Sequence, residues 1–97
     1  MAYQIAFTRR AQREARKVAD WYQEKGASPD RFVDELDILL RAISDAPLKF
    51  SEIVPGVRRA LLQRFPYAVF FSIKFRVARI LAVLHTSRNP ARWPKAN

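Results

Sequence analysis

Val57-Arg58-Arg59-Ala60-Leu61-Leu62-Gln63-Arg64, then Phe65-Pro66, then Tyr67-Ala68-Val69-Phe70-Phe71-Ser72-Ile73 is the stretch on which the fold turns. Val57 to Arg64 alternates and reads as one strand, and Tyr67 to Ile73, rich in β-branched and aromatic residues, reads as a second. Phe65-Pro66 separates them, because proline has no N–H to give a sheet ladder. Ala68-Val69-Phe70-Phe71 is apolar on both faces, which places the second strand centrally. A third strand starts at Val77 or Ala78 and runs to His85. Between them, Lys74-Phe75-Arg76 lacks the Asn-Gly or Asp-Gly of an obvious hairpin, so the sequence leaves its ends open.

Upstream, Ala46 to Gly56 is punctuated by Pro47, Pro55 and Gly56 and reads as a loop. Before it, Ser28-Pro29-Asp30 announces a helix: a capping hydroxyl, a proline for the first helical position and an acid for the positive helix end. Its apolar stripe is Phe32, Leu36, Leu39 and Ile43, widened by Val33 and Leu40. An earlier helix runs from Arg9 to Lys25 with Ala11, Ala15, Val18 and Tyr22 on one side, Thr8 as its cap and Gly26 as its stop. Trp21 and Tyr22 are assigned to the core. Tyr3, Ile5 and Phe7 alternate on one side of a short first strand. The two helices are close in sequence and pack as an antiparallel hairpin.

The order is therefore β-α-α-β-β-β. It is an α+β fold of two layers, with the helical hairpin on one face of a small antiparallel sheet and the other face partly open. Residues 1–97 form one domain. The tail from Thr86 to Asn97, with Pro90 and Pro94, is expected to be extended or irregular.

Composition narrows the chemistry. Lys and Arg number 18 against 9 acids, a formal net charge of +9, which favours an acidic protein segment, nucleic acid or an anionic membrane surface as partner. There is no cysteine, which removes disulfides, thiol catalysis and cysteine-ligated metals. With a single histidine, no metal site is expected, and no cofactor motif is present. No apolar run approaches the ~18 residues of a membrane span, and no signal peptide is visible. The absence of cysteine suits a reducing cytoplasm.

Arginines dominate the candidate functional residues, because the planar guanidinium fork binds carboxylate and phosphate. Alternation puts Arg58 and Arg64 on one side of their strand and Arg59 and Gln63 on the other. Arg13 belongs to the basic face of the first helix. His85 closes the last strand beside Thr86, Ser87 and Arg88, and a histidine there serves as an acid or base or as a structural hydrogen-bonding group. Tyr67 and Trp93 are candidates for stacking on bases, and Trp93 equally for anchoring the tail to the body.

Three stretches, taken in order, resemble the ParE toxins of the RelE/ParE superfamily. They are Pro55-Gly56-Val57-Arg58-Arg59-Ala60-Leu61, Phe65-Pro66-Tyr67-Ala68-Val69-Phe70-Phe71, and Ile80-Leu81-Ala82-Val83-Leu84-His85-Thr86-Ser87-Arg88-Asn89-Pro90. The N-terminal strand, Ala11-Gln12-Arg13-Glu14-Ala15 and Trp21-Tyr22 extend the likeness over nearly the whole chain. The resemblance implies the toxin of a type II toxin–antitoxin pair, carried by plasmid-stabilisation systems. A ParD-like antitoxin would neutralise it, its C-terminal segment folding as it wraps the toxin. The implied target is DNA gyrase, with operator DNA reached only through the antitoxin. On that reading the chain is a binding inhibitor rather than an enzyme, and Arg13, Arg58, Arg59, Arg64, Tyr67, His85, Arg88 and Trp93 contact antitoxin or target. The related RelE branch cuts messenger RNA on the ribosome. If this chain did so, Arg59, Arg64 and His85 would be the catalytic set, although arginine moves protons poorly.

Overall fold

The structure, a computed structural model, describes residues 2–95. It has five strands and two helices: β1 (Gln4–Phe7), α1 (Arg9–Glu24), α2 (Pro29–Asp45), β2 (Glu52–Val54), β3 (Val57–Leu61), β4 (Tyr67–Lys74) and β5 (Val77–His85), with 3₁₀ turns at Pro47–Lys49 and Pro90–Arg92. No helix among the described residues is long and apolar enough to cross a membrane.

Local chemistry sets the helix ends. Thr8 is extended, and its Oγ1 accepts the Ala11 N–H at 3.1 Å. Ser28 Oγ accepts the Asp30 N–H at 3.2 Å, Pro29 occupies the first turn, and Asp30 sits at the positive end of α2. Gly26, at φ +78°, turns the chain between the helices.

The sheet order is β1-β5-β4-β3-β2. Two features depart from the sequence reading. The segment read as a loop contains β2, joined to β3 by a tight turn at Pro55 and Gly56, the latter at φ +78°. The sheet is also mixed rather than antiparallel: β1 runs parallel to β5, from Gln4 beside Val77 to Phe7 beside Ile80. The reason is edge coverage. β1 shields only the first half of β5, and α1 then continues in the same direction along the second half. Thr8 N–H donates to the Ile80 carbonyl at 3.0 Å, Thr8 Oγ1–H donates to that of Leu81 at 3.3 Å, and Glu14 Oε1 accepts from Val83 N–H at 2.9 Å.

The main core lies between helices and sheet, with Phe32, Ile43, Phe71 and Ile80 essentially inaccessible. The far face is less open than the sequence suggests. Val57, Ala68, Phe70, Leu81, Ala82 and Leu84 form a second cluster there, under Ile53, Val54 and Trp93. β3 is shorter than expected and ends at Leu61, so Arg64 lies in the following bend, where strand alternation no longer applies. Arg58 and Arg64 therefore do not share a strand face. Trp21, assigned to the core, is 48% exposed, whereas Tyr22 packs against the core as expected. Val33, placed on the α2 stripe, is also exposed.

The β4–β5 turn explains why its sequence was hard to read. Phe75 takes φ +58° without being glycine and is 86% exposed. A left-handed conformation costs an L-residue about 1–2 kcal/mol, partly offset in a glycine variant by its freer unfolded chain. Phe75→Gly is therefore expected to stabilise the fold by about 0.5 kcal/mol. A urea midpoint moving upward confirms the strain; one moving downward shows that the phenyl ring contributes packing.

Candidate functional site

A groove of about 660 Å³ opens where the second half of α1 faces the ends of β4 and β5. A bulge in β5 decides what lines it. Phe70 opposes Ala82, but Phe71 opposes Ile80, so Leu81 is an extra residue in the ladder. The extra residue reverses the alternation beyond it. Val83 therefore joins Ala78 and Ile80 in the core on the helix side, and His85 follows Val83 round to the groove. Uninterrupted alternation would send both to the other face.

His85 pairs with Tyr67 across β4 and β5, and their rings meet edge to face at 5.2 Å. The Nδ1 of His85 accepts the backbone N–H of Ser87 at 3.0 Å and lies 2.7 Å from Ser87 Oγ. Both contacts turn Nδ1 toward Ser87 and so fix the orientation of the ring. On the wall behind, Tyr22 stacks edgewise on Phe65 at 5.2 Å. Burial, and then its neighbour Tyr67, push the Tyr22 phenol above its ordinary value, so it remains a neutral group.

The rim is cationic. Arg10, Lys17, Arg88 and Arg92 line the groove against one acid, Glu14. That acid is already engaged: its second oxygen pairs with Arg10 Nε at 3.0 Å while the first holds Val83. Arg10 also donates through Nη2 to the Arg92 carbonyl at 2.7 Å, which ties the tail to α1. The groove therefore presents positive charge and aromatic edges, with no free carboxylate among the described lining residues.

Of the residues singled out from sequence, Tyr67, His85 and Arg88 meet in this groove. The others do not. Arg59 lies on the opposite sheet face, its guanidinium 5.5 Å from the Trp93 ring centre, and Trp93 packs on Phe70 at 5.7 Å. That indole anchors the tail, the second of the two roles weighed for it. Arg58 points to the helix side at the β2 edge, donating to the Phe50 carbonyl at 2.6 Å and facing Glu52 at 3.7 Å. Arg64 sits in the β3–β4 bend, where Glu35 Oε1 accepts the backbone N–H groups of Gln63 and Arg64 at 2.6 and 2.8 Å. Arg13 lies on the outward side of α1. Arg59, Arg64 and His85 thus lie in three different places in this structure. Sequence reading missed Arg10, Glu14, Lys17 and Arg92. The pair Arg10 and Glu14, four apart on one helix, was a legible signal, but the attachment of Glu14 to Val83 was not.

Two solved structures of toxin–antitoxin systems share this fold. A chain of the chromosomal ParDE toxin–antitoxin system from P. aeruginosa superposes with a TM-score of 0.71 at 22% identity, covering 87% of this chain and 96% of that one. A chain of the toxin–antitoxin complex RelBE2 from Mycobacterium tuberculosis gives 0.63 at 21%, covering 88% and 99%. The chain belongs to the family of ParE toxins of the type II toxin–antitoxin system parDE, whose model matches residues 5–90. No curated protein matches the sequence.

Glu14 generates a direct prediction. Glu14→Ala leaves the Val83 N–H and Arg10 without their carboxylate and is expected to destabilise the fold by about 1–2 kcal/mol. Hydrogen exchange should then quicken at Val83 ahead of Ile80, which β1 and Thr8 still cover; unchanged protection at Val83 counts against the bond.

Proposed function

We propose that this toxin acts by binding proteins. A ParD-like antitoxin lays an acidic segment in the cationic groove, and the toxic target is DNA gyrase rather than messenger RNA on the ribosome. Family membership supports an antitoxin partner, as do the two structural relatives, both from toxin–antitoxin systems. Gyrase as target rests on the resemblance to ParE toxins.

The observation that carries the choice against RNA cleavage is the state of His85. RNA cleavage of the RelE kind needs a base for the 2′-hydroxyl and an acid for the leaving oxygen. With Nδ1 taken by the Ser87 N–H, only Nε2 of His85 is left to serve the groove. The cations around it, Lys17, Arg88 and Arg92, hold anions but do not exchange protons readily. Such a set suits carboxylate side chains of a peptide, each charge-assisted contact being stronger than a neutral one.

Two experiments test the reading. Antitoxin at a hundred times its Kd is expected to stabilise the toxin by about 2.7 kcal/mol, seen as a higher melting temperature. Arg88→Glu together with Arg92→Glu should weaken that shift by inverting the rim charge. A supercoiling assay with purified gyrase is expected to show inhibition, and His85→Ala is expected to keep toxicity. Loss of toxicity in His85→Ala, with new messenger-RNA ends in the ribosomal A site, would instead establish the nuclease.

A further inference from the structure

Outside the groove, α1 carries its charges the wrong way round for a helix. Arg9, Arg10, Arg13 and Arg16 occupy its N-terminal half against the single acid Glu14, with no acid in the first turn. Asp20 and Glu24 occupy its C-terminal half, with no base in the last turn. The helix macrodipole favours the reverse. Arg9 and Arg13, four apart, and Arg13 and Arg16, three apart, also repel one another as neighbours on the helix surface. Arg10 is neutralised by Glu14. Arg9, Arg13 and Arg16 are exposed, and no ion pair or side-chain hydrogen bond holds them among the described residues. The fold gains nothing from this ridge, so its use lies with an anionic partner.

We propose that the ridge Arg9–Arg13–Arg16 lies along the phosphates of one strand of duplex DNA. This goes beyond the groove and does not depend on what the groove binds. Spacing is the first argument. The three arginines project from one side of α1 and span about 10 Å at 1.5 Å per residue. Each strand of a duplex carries one phosphate per nucleotide, and three long guanidinium side chains in a row can each reach a phosphate of the same strand.

The second argument is what the ridge lacks. Gln12, Lys17 and Asp20 surround it, and no apolar side chain is exposed among them. Protein partners need an apolar or aromatic anchor at the centre of the contact. The exposed apolar residues Val33, Ile38, Leu48, Leu61 and Phe75 lie off α1, and Trp21 opens on the groove. Guanidinium–phosphate contacts need no such anchor. Accessibility is the third argument. Ala11 and Val18 of α1 are buried against the sheet, so the ridge faces away from the body and stays clear of a segment lying in the groove.

The test is fluorescence anisotropy of a labelled duplex of arbitrary sequence, read over a salt series with the full chain. Replacing Arg9, Arg13 and Arg16 together by glutamine should make the slope of log binding constant against log salt shallower by about 2.7, at about 0.9 per phosphate contact. Affinity should fall equally for duplexes of different sequence. The melting temperature at low salt should hold or rise, since repulsion is relieved. If the triple variant fails to fold, Arg13→Gln alone should lower the slope by about 0.9. An unaltered slope, or no duplex binding by the parent chain at low salt, overturns the proposal. So does loss of antitoxin binding with duplex binding intact, which makes the ridge a protein-docking face.

Discussion

The edge of β5 that faces away from β4 is the constraint from which the rest of the structure follows. A strand this apolar, buried on both faces from Ile80 to Leu84, cannot leave its backbone groups unpaired without a large penalty. β4 satisfies one edge along its length. The other edge is shared between β1, the Thr8 cap and the Glu14 carboxylate. One carboxylate from a helix thus replaces a main-chain carbonyl of a strand that is absent. By drawing α1 against β5 it also fixes the groove wall and, through Arg10, the place of the tail.

Charge is distributed with similar consequence. Glu52 is the last acid in the sequence, and every charged residue after it is Lys or Arg. The acids gather instead on α2, at Asp30, Asp34, Glu35, Asp37 and Asp45, where only Arg31 and Arg41 oppose them. The groove rim and the α1 ridge are therefore two positive surfaces set apart from an acidic helix. A focused potential of this kind speeds encounter with acidic partners and weakens with salt. The groove combines its cations with aromatic rings, and the ridge is purely cationic, which is why the two surfaces suit different chemistries.

Much of the site depends on one inserted residue in a ladder. The Leu81 bulge costs a local hydrogen-bond step but turns Val83 into the core and His85 toward Tyr67. With that turn, Ser87 lies against His85 Nδ1 and anchors the ring. A histidine at a strand end is thereby held beside Tyr67 in a cationic groove.

Local patterns by themselves determined the helices, the three longest strands and the two-layer class. Periodicity, the Thr8 and Ser28 caps and the Pro29 and Gly26 signals act within a few residues and need no distant partner. The same patterns also placed Phe32 and Ile43 on a buried helix stripe and Phe71 in a central strand, where the structure buries them. Tertiary structure alone decided the parallel pairing of β1, the three-residue strand β2 and the face of His85. Each depends on backbone groups meeting partners far away in sequence, and β2 is too short to carry a period. The same reason explains the scattered candidate arginines. Charge is visible in a sequence, but whether Arg59 and His85 lie on one side of a sheet depends on register, and a single bulge is enough to reverse it.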